Sequence, residues 1–232
     1  MFRYFSSNKL FVLFFLHMIF ITSIPVFSQK KINLGIKGGI SQSNINLQNN
    51  FFPTIIKTSK LNSYNVSIVS EFINEKNVGI RIELNMIQKG YFQNLYSVGS
   101  NLVEVKLFSK LDYINFPFLL QYYFLEKKQN IYINLGPYFE YLIKLNNQEV
   151  PSDINSSDVY FFNKNRDKKL GYGLKMSLGY SNLIKNNSIQ FSISYMYNFS
   201  NILNSNLKSE STPDVSNLNS LSLSVFYLFQ IN

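Results

Sequence analysis

Along most of the chain, apolar side chains recur at every second position. From Ser188 to Ser200, Ile189, Phe191, Ile193, Tyr195, Tyr197 and Phe199 share one side. Gln190, Ser192, Ser194, Met196 and Asn198 share the other. A period of two describes a strand with one apolar face. The same reading predicts strands over about 31–41, 63–73, 77–89, 103–124, 131–145, 170–183 and 220–231, which makes eight. No long stripe at helical spacing competes with them after Gln29. In the fourth strand, Val103, Val105, Leu107 and Leu111 alternate with Glu104, Lys106, Lys110 and Asp112. The apolar positions then change parity to Phe116, Phe118, Leu120, Tyr122 and Phe124, which predicts a bulge beside Pro117.

The connections alternate in length. Segments of about 42–62, 90–102, 146–169 and 201–219 are long, whereas "NEK", "LEKKQN" and "IKNN" are short. Short turns at one end and long loops at the other are the rhythm of an up-and-down barrel with both termini at the short-turn end. The predicted fold is therefore all-β: an eight-stranded antiparallel up-and-down transmembrane β-barrel. Its aromatic positions are expected in two bands, as membrane interfaces select. Tyr64, Tyr91, Tyr141, Tyr172, Tyr197 and Phe199 form the outer band, and Phe72, Tyr122, Phe124, Tyr180, Tyr227 and Phe229 the inner one. A soluble sandwich or a lipocalin-like barrel would show similar alternation, but with the apolar face turned inward. Charges on the polar face, the two bands and the loop rhythm favour the membrane barrel.

The N-terminus changes the picture of where the chain goes. Arg3 and Lys9 precede an apolar run from Leu10 to about Ile24, then Val26, Phe27 and Ser28. This is the pattern of a secretory signal peptide, and the run is short of the roughly 20 residues of a membrane helix. Cleavage after Ser28 is expected, leaving residues 29–232 as one barrel domain exported to the outer membrane. The formal charge of +9 falls by two with Arg3 and Lys9. The remaining lysines are scattered, so nucleic acid is not an expected partner. Outer-membrane lipid is, and the barrel is expected to be a monomer.

Cleavage also removes His17, the only histidine, and the chain has no Cys or Trp. A Ser-His-Asp triad, a cysteine nucleophile and an ordinary zinc site are then excluded, so no enzyme activity and no cofactor are expected. "DINSSD", Asp153 to Asp158, lacks the sixth-position Gly and twelfth-position Glu of an EF-hand and reads as an Asx-rich loop. "GYG", Gly171 to Gly173, lacks the later glycine of a dinucleotide cradle and reads as small residues in a strand.

What remains is the barrel interior. The polar parity places Lys37, Glu71, Arg81, Glu83, Glu104, Lys106, Lys110, Asp112, Glu140 and Lys175 inside. Buried charges of both signs must pair, so a charge network that plugs the lumen is predicted. If "NEK" sets the register, Glu71 faces Gly79 and lies diagonal to Arg81, within reach of an ion pair. A small-ion path along the network is the alternative.

"LGIKGGISQSNI" (34–45), "LDYINFPFLLQYYF" (111–124) and "IYINLGPYFEYLI" (131–143) together resemble PorT-type outer-membrane β-barrel proteins. The resemblance covers nearly the whole chain after residue 28. It implies an outer-membrane barrel and assigns no activity; one member of that family is linked to assembly of a secretion apparatus, a role that fold alone does not transfer. The function expected is structural or protein-interacting, with an envelope protein as possible partner through the outer loops, chiefly 146–169. A narrow porin-like channel and a secreted lipocalin-like binder are the alternatives.

Overall fold

The computed structural model describes residues 29–48, 57–74, 77–96, 104–124, 128–148, 162–163, 167–203 and 213–231. Segment 1–28, "DINSSD" and most of loop 146–169 lie outside the described residues. Eight strands follow one another: β1 (Gln29–Gln48), β2 (Lys57–Asn74), β3 (Val78–Tyr96), β4 (Glu104–Tyr123), β5 (Gln129–Asn147), β6 (Leu170–Ile184), β7 (Asn187–Asn198) and β8 (Val215–Ile231). Each pairs antiparallel with its sequence neighbours, and β1 pairs with β8 to close the barrel. Closure leaves no open sheet edge. Ile32 lies opposite Ile231, so both described termini sit at the short-turn end.

The alternation puts apolar side chains outside. Ile36, Ile40, Ile68, Met86, Leu120, Leu178, Phe191 and Leu223 are all exposed on the outer surface. Towards the short turns this belt ends in Tyr122, Phe124, Tyr180, Tyr227 and Phe229, with the Tyr122 and Phe124 rings edge to face at 5.2 Å. Towards the long loops it ends in Tyr64, Tyr141, Tyr172, Tyr197 and Phe199, the last two edge to face at 5.3 Å.

The strands run well past the belt. β1 and β4 have 20 residues each, about twice the 9–11 that cross a hydrocarbon layer. Beyond the belt, at the long-loop end, the polarity of the wall inverts. Inside, Ile45, Ile87, Tyr91, Leu111, Tyr113, Tyr138, Leu142, Met196 and Leu218 form one buried apolar cluster, closed by Phe162, Ile202 and Leu203 from the connecting segments. Outside, Gln42, Asn46, Gln88, Lys106, Lys110 and Asp112 meet water. The upper barrel is built like a soluble protein and the lower barrel like a membrane one.

This inversion corrects several expectations. β4 keeps one parity throughout, with Leu107, Leu111, Tyr113, Asn115, Leu119 and Gln121 all buried inside. The parity change expected beside Pro117 is absent; what changes along β4 is the surrounding medium, not the pleat. Pro117 and Pro137 remove two ladder donors, yet pairing resumes at Leu120 and Leu135 in the same register. The bulge lies in β5 instead, where Asp112 opposes Lys144 and Tyr113 opposes Leu142. Lys106, Lys110 and Asp112 are consequently on the outer wall, not in the lumen. Tyr91, expected in the outer aromatic band, is fully buried in the apolar cluster.

Candidate functional site: the charged lumen

Below the apolar cluster the interior is polar, and β3 organises it. Its inward positions Arg81, Glu83 and Lys89 mark three successive levels, each paired with a partner from another wall. Nearest the short turns, Arg81 pairs with Glu71 directly across the β2–β3 ladder. Glu71 opposes Arg81 and not Gly79, a register correction that turns the expected diagonal contact into a face-to-face one.

The Glu71 carboxylate also accepts hydrogen bonds from Asn33 (3.1 Å), Gln121 (3.3 Å) and the Tyr123 hydroxyl (3.4 Å). Arg81 donates through Nη2 to Gln190 Oε1 at 2.5 Å and through Nη1 to the Tyr132 hydroxyl at 3.4 Å. With its amide oriented to satisfy both neighbours, Asn134 accepts from Arg81 Nη1 at 2.9 Å and from Ser177 Oγ at 3.3 Å. The guanidinium lies 4.6 Å from the Tyr132 ring centre and 4.8 Å from that of Phe226. A planar cation with several donors suits such a packed, desolvated position.

At the second level, Lys37 Nζ from β1 and Lys175 Nζ from β6 reach the same oxygen, Glu83 Oε2, at 2.7 and 2.6 Å. At the third, Lys89 Nζ pairs with Glu140 Oε2 at 2.6 Å, beneath the rings of Tyr113 and Tyr138 at 5.6 and 5.2 Å. Asn115 and Asn198 donate to Glu140 at 3.3 and 2.7 Å.

Glycines in β6 make the network fit. Gly179 lies opposite Tyr132 and Gly173 opposite Tyr138, so both rings lie across bare backbone. A Cβ at Gly173 would sit 2.8 Å from the Tyr138 ring. Gly173 of "GYG" thus supplies room for Tyr138, which lines the Lys89 ammonium, and Gly179 does the same for Tyr132 beside Arg81.

Of the residues the sequence placed inside, the structure brings Lys37, Glu71, Arg81, Glu83, Glu140 and Lys175 together in the lumen. Glu104 begins β4 opposite Tyr96, and its side chain is outside the described residues. Sequence reasoning missed Lys89, although it continues the parity of Arg81, Glu83 and Asn85. It also missed the neutral partners Asn115 and Gln121, whose parity marks them in the same way, whereas Gln190 and Asn198 lie on the polar side of their strand as expected. Among the described residues, no three acidic, His or Cys side chains gather as a metal site requires.

The fold and its polar, ion-paired interior define a membrane-type β-barrel. Residues 27–204 match the family described as outer membrane protein beta-barrel domain, and the chain belongs to that family, in the outer membrane. In structure it is similar to the outer membrane protein OprG from Pseudomonas aeruginosa, with a TM-score of 0.52 and 13% identity over 88% of this chain and 97% of that one. Neisserial surface protein A gives 0.43 and 12%, over 85% and 97%. The Escherichia coli outer membrane protein W gives 0.39 and 11%, over 85% and 97%. No curated protein matches the chain in sequence.

Proposed function

We propose that this protein is a closed, non-enzymatic outer-membrane barrel of the PorT type that serves the cell envelope as a structural or protein-binding element. In this reading residues 1–28 are a signal peptide removed after Ser28, and residues 29–232 are the mature monomer. One observation carries the proposal: the interior is occupied twice over, by ion pairs within the membrane belt and by an apolar cluster beyond it. An eight-stranded wall leaves space for little more than its own side chains. Function then falls to what the barrel presents outside, and the long loops, chiefly 146–169, are the proposed contact surface for an envelope protein.

Planar-bilayer recording of the refolded protein tests closure. The expected result is no reproducible single-channel steps; regular steps would establish the narrow channel instead. Copurification after mild extraction tests the partner: chains recovered with the wild type should be lost when 149–161 is deleted, and their retention would count against the loop.

A further inference from the structure

Beyond the aromatic rim at the long-loop end, one side of the outer wall carries a run of cations. Lys144 on β5 lies three residues past Tyr141, Lys110 and Lys106 stand farther out on the outward face of β4, and Lys168 and Lys169 lead into β6. These strands are consecutive neighbours in the wall, so the five ammonium groups share one side of the barrel. Asp112 is the only acid among the described outward side chains there, and it accepts from Gln88 Nε2 at 2.8 Å although Lys144 stands opposite it. Among the described side chains, none of the five lysines forms an ion pair. Beyond the same rim on the other side, the outward residues of β1 are the neutral Gln42, Asn46 and Gln48.

The backbone under these lysines is tied down. The Lys169 carbonyl accepts from Leu142 N–H at 2.8 Å, and Lys168 N–H donates to the Ile202 carbonyl at 3.1 Å. Lys110 Nζ lies 4.9 Å from the Phe108 ring centre. Their heights differ. Tyr141 pairs with Ile114 at the rim, and Lys110 and Lys106 lie four and eight residues past Ile114. At about 3.4 Å per residue and a tilt of about 40°, Lys144, Lys110 and Lys106 stand about 8, 10 and 20 Å above the rim. The headgroup layer of a simple phospholipid is only about 5–8 Å deep. Such a lipid reaches Lys144 and falls short of Lys106, whereas a taller anionic headgroup meets all five.

We propose that this side of the barrel docks an outer-leaflet lipid whose headgroup is a phosphorylated saccharide. Its acyl chains lie along the belt below, where Phe116 and Phe139 are exposed. Phosphates nearest the rim are bound by Lys144, Lys168 and Lys169, and anionic groups farther out by Lys110 and Lys106. An ammonium group binds phosphate as a point charge and needs no fixed fork geometry, which suits a surface that grips a lipid without enclosing it. The surface lies wholly on the outer wall and does not depend on whether the lumen conducts.

Deep-rough lipopolysaccharide, a glycolipid with phosphates on its sugars, is the probe. The refolded protein in detergent is titrated with it, and the bound fraction is read by native mass spectrometry. Binding to the wild type should saturate, and the triple variant Lys106→Gln, Lys110→Gln, Lys144→Gln should weaken it by about fivefold for each lysine removed. Heat-modifiable gel mobility checks that the variant is folded. A charge-matched control at the short-turn end, Lys31→Gln, Lys128→Gln, Lys185→Gln, should bind as the wild type does. Phosphatase-treated lipopolysaccharide, phosphatidylglycerol and inorganic phosphate should each bind more weakly than the probe. Equal binding by the wild type and the first triple variant, an equal loss in the charge-matched control, or equally tight binding of any of those three ligands overturns the proposal.

Discussion

Arg81 is the residue on which the lower lumen converges. Its guanidinium touches Glu71, Gln190, Tyr132, Asn134 and Phe226, side chains from four other strands. Arg81→Met leaves Glu71 buried with neutral donors only, and should destabilise the barrel by about 3–5 kcal/mol. Adding Glu71→Gln removes the stranded charge, so the double variant should be more stable than Arg81→Met alone. Urea unfolding in phospholipid vesicles measures both. The pair was legible in the sequence because both residues hold the polar parity of neighbouring strands. Their register was not, since a three-letter turn motif does not fix where the ladder ends: Glu71 meets Arg81, two residues past Gly79. Lys106 and Asp112 were misplaced for another reason. Charge on a strand was read as a mark of the lumen, yet a charge is equally at home on an outer wall that faces water beyond the belt.

At the scale of the element, β4 shows how a pattern can mislead. A switch from odd to even apolar positions near residue 113 looks like a slipped pleat. The pleat is continuous, and the switch records the strand leaving an aqueous surround for an apolar one. If so, Leu111 is core, and Leu111→Ala should cost about 2–5 kcal/mol. Lys110→Ala, one position away on the wet outer face, should change stability by no more than about 0.5 kcal/mol. The opposite ranking would restore a parity break at Pro117. The strand ends beyond the belt were illegible for the same reason. At Gln42–Gln48 and Lys57–Asn62 the outward residues are polar, so the segments read as loops although they extend β1 and β2.

For the whole molecule, the belt between the two aromatic rims decides where the barrel resides, and this much was plain from period, loop rhythm and aromatic placement. Ile193 lies mid-strand on the outer face, between Phe191 and Tyr195. Ile193→Arg should cost about 2–4 kcal/mol when the protein is folded in bilayers, the penalty of a cation at mid-depth. In a fluorinated surfactant that lets water reach the wall, the cost should shrink. The apolar cluster at the long-loop end could not be foreseen, because it draws only one or two residues from each of β1, β3, β4, β5, β7, β8 and two connections. No local pattern announces such an assembly.

The two-medium wall also constrains how the finished barrel can come to exist. Lys106, Lys110 and Lys144 decorate the outer surface at the end remote from both termini. A chain that arrives from the side of its termini has to carry those lysines through the hydrocarbon before they regain water. Each crossing costs about 2.5–3.5 kcal/mol at the bilayer centre. None of that cost survives in the folded state, so it is a barrier of insertion and not of stability. Unassisted entry into thick, defect-free vesicles should therefore be slow, and a catalyst that locally thins the membrane should speed it without changing the barrel that results.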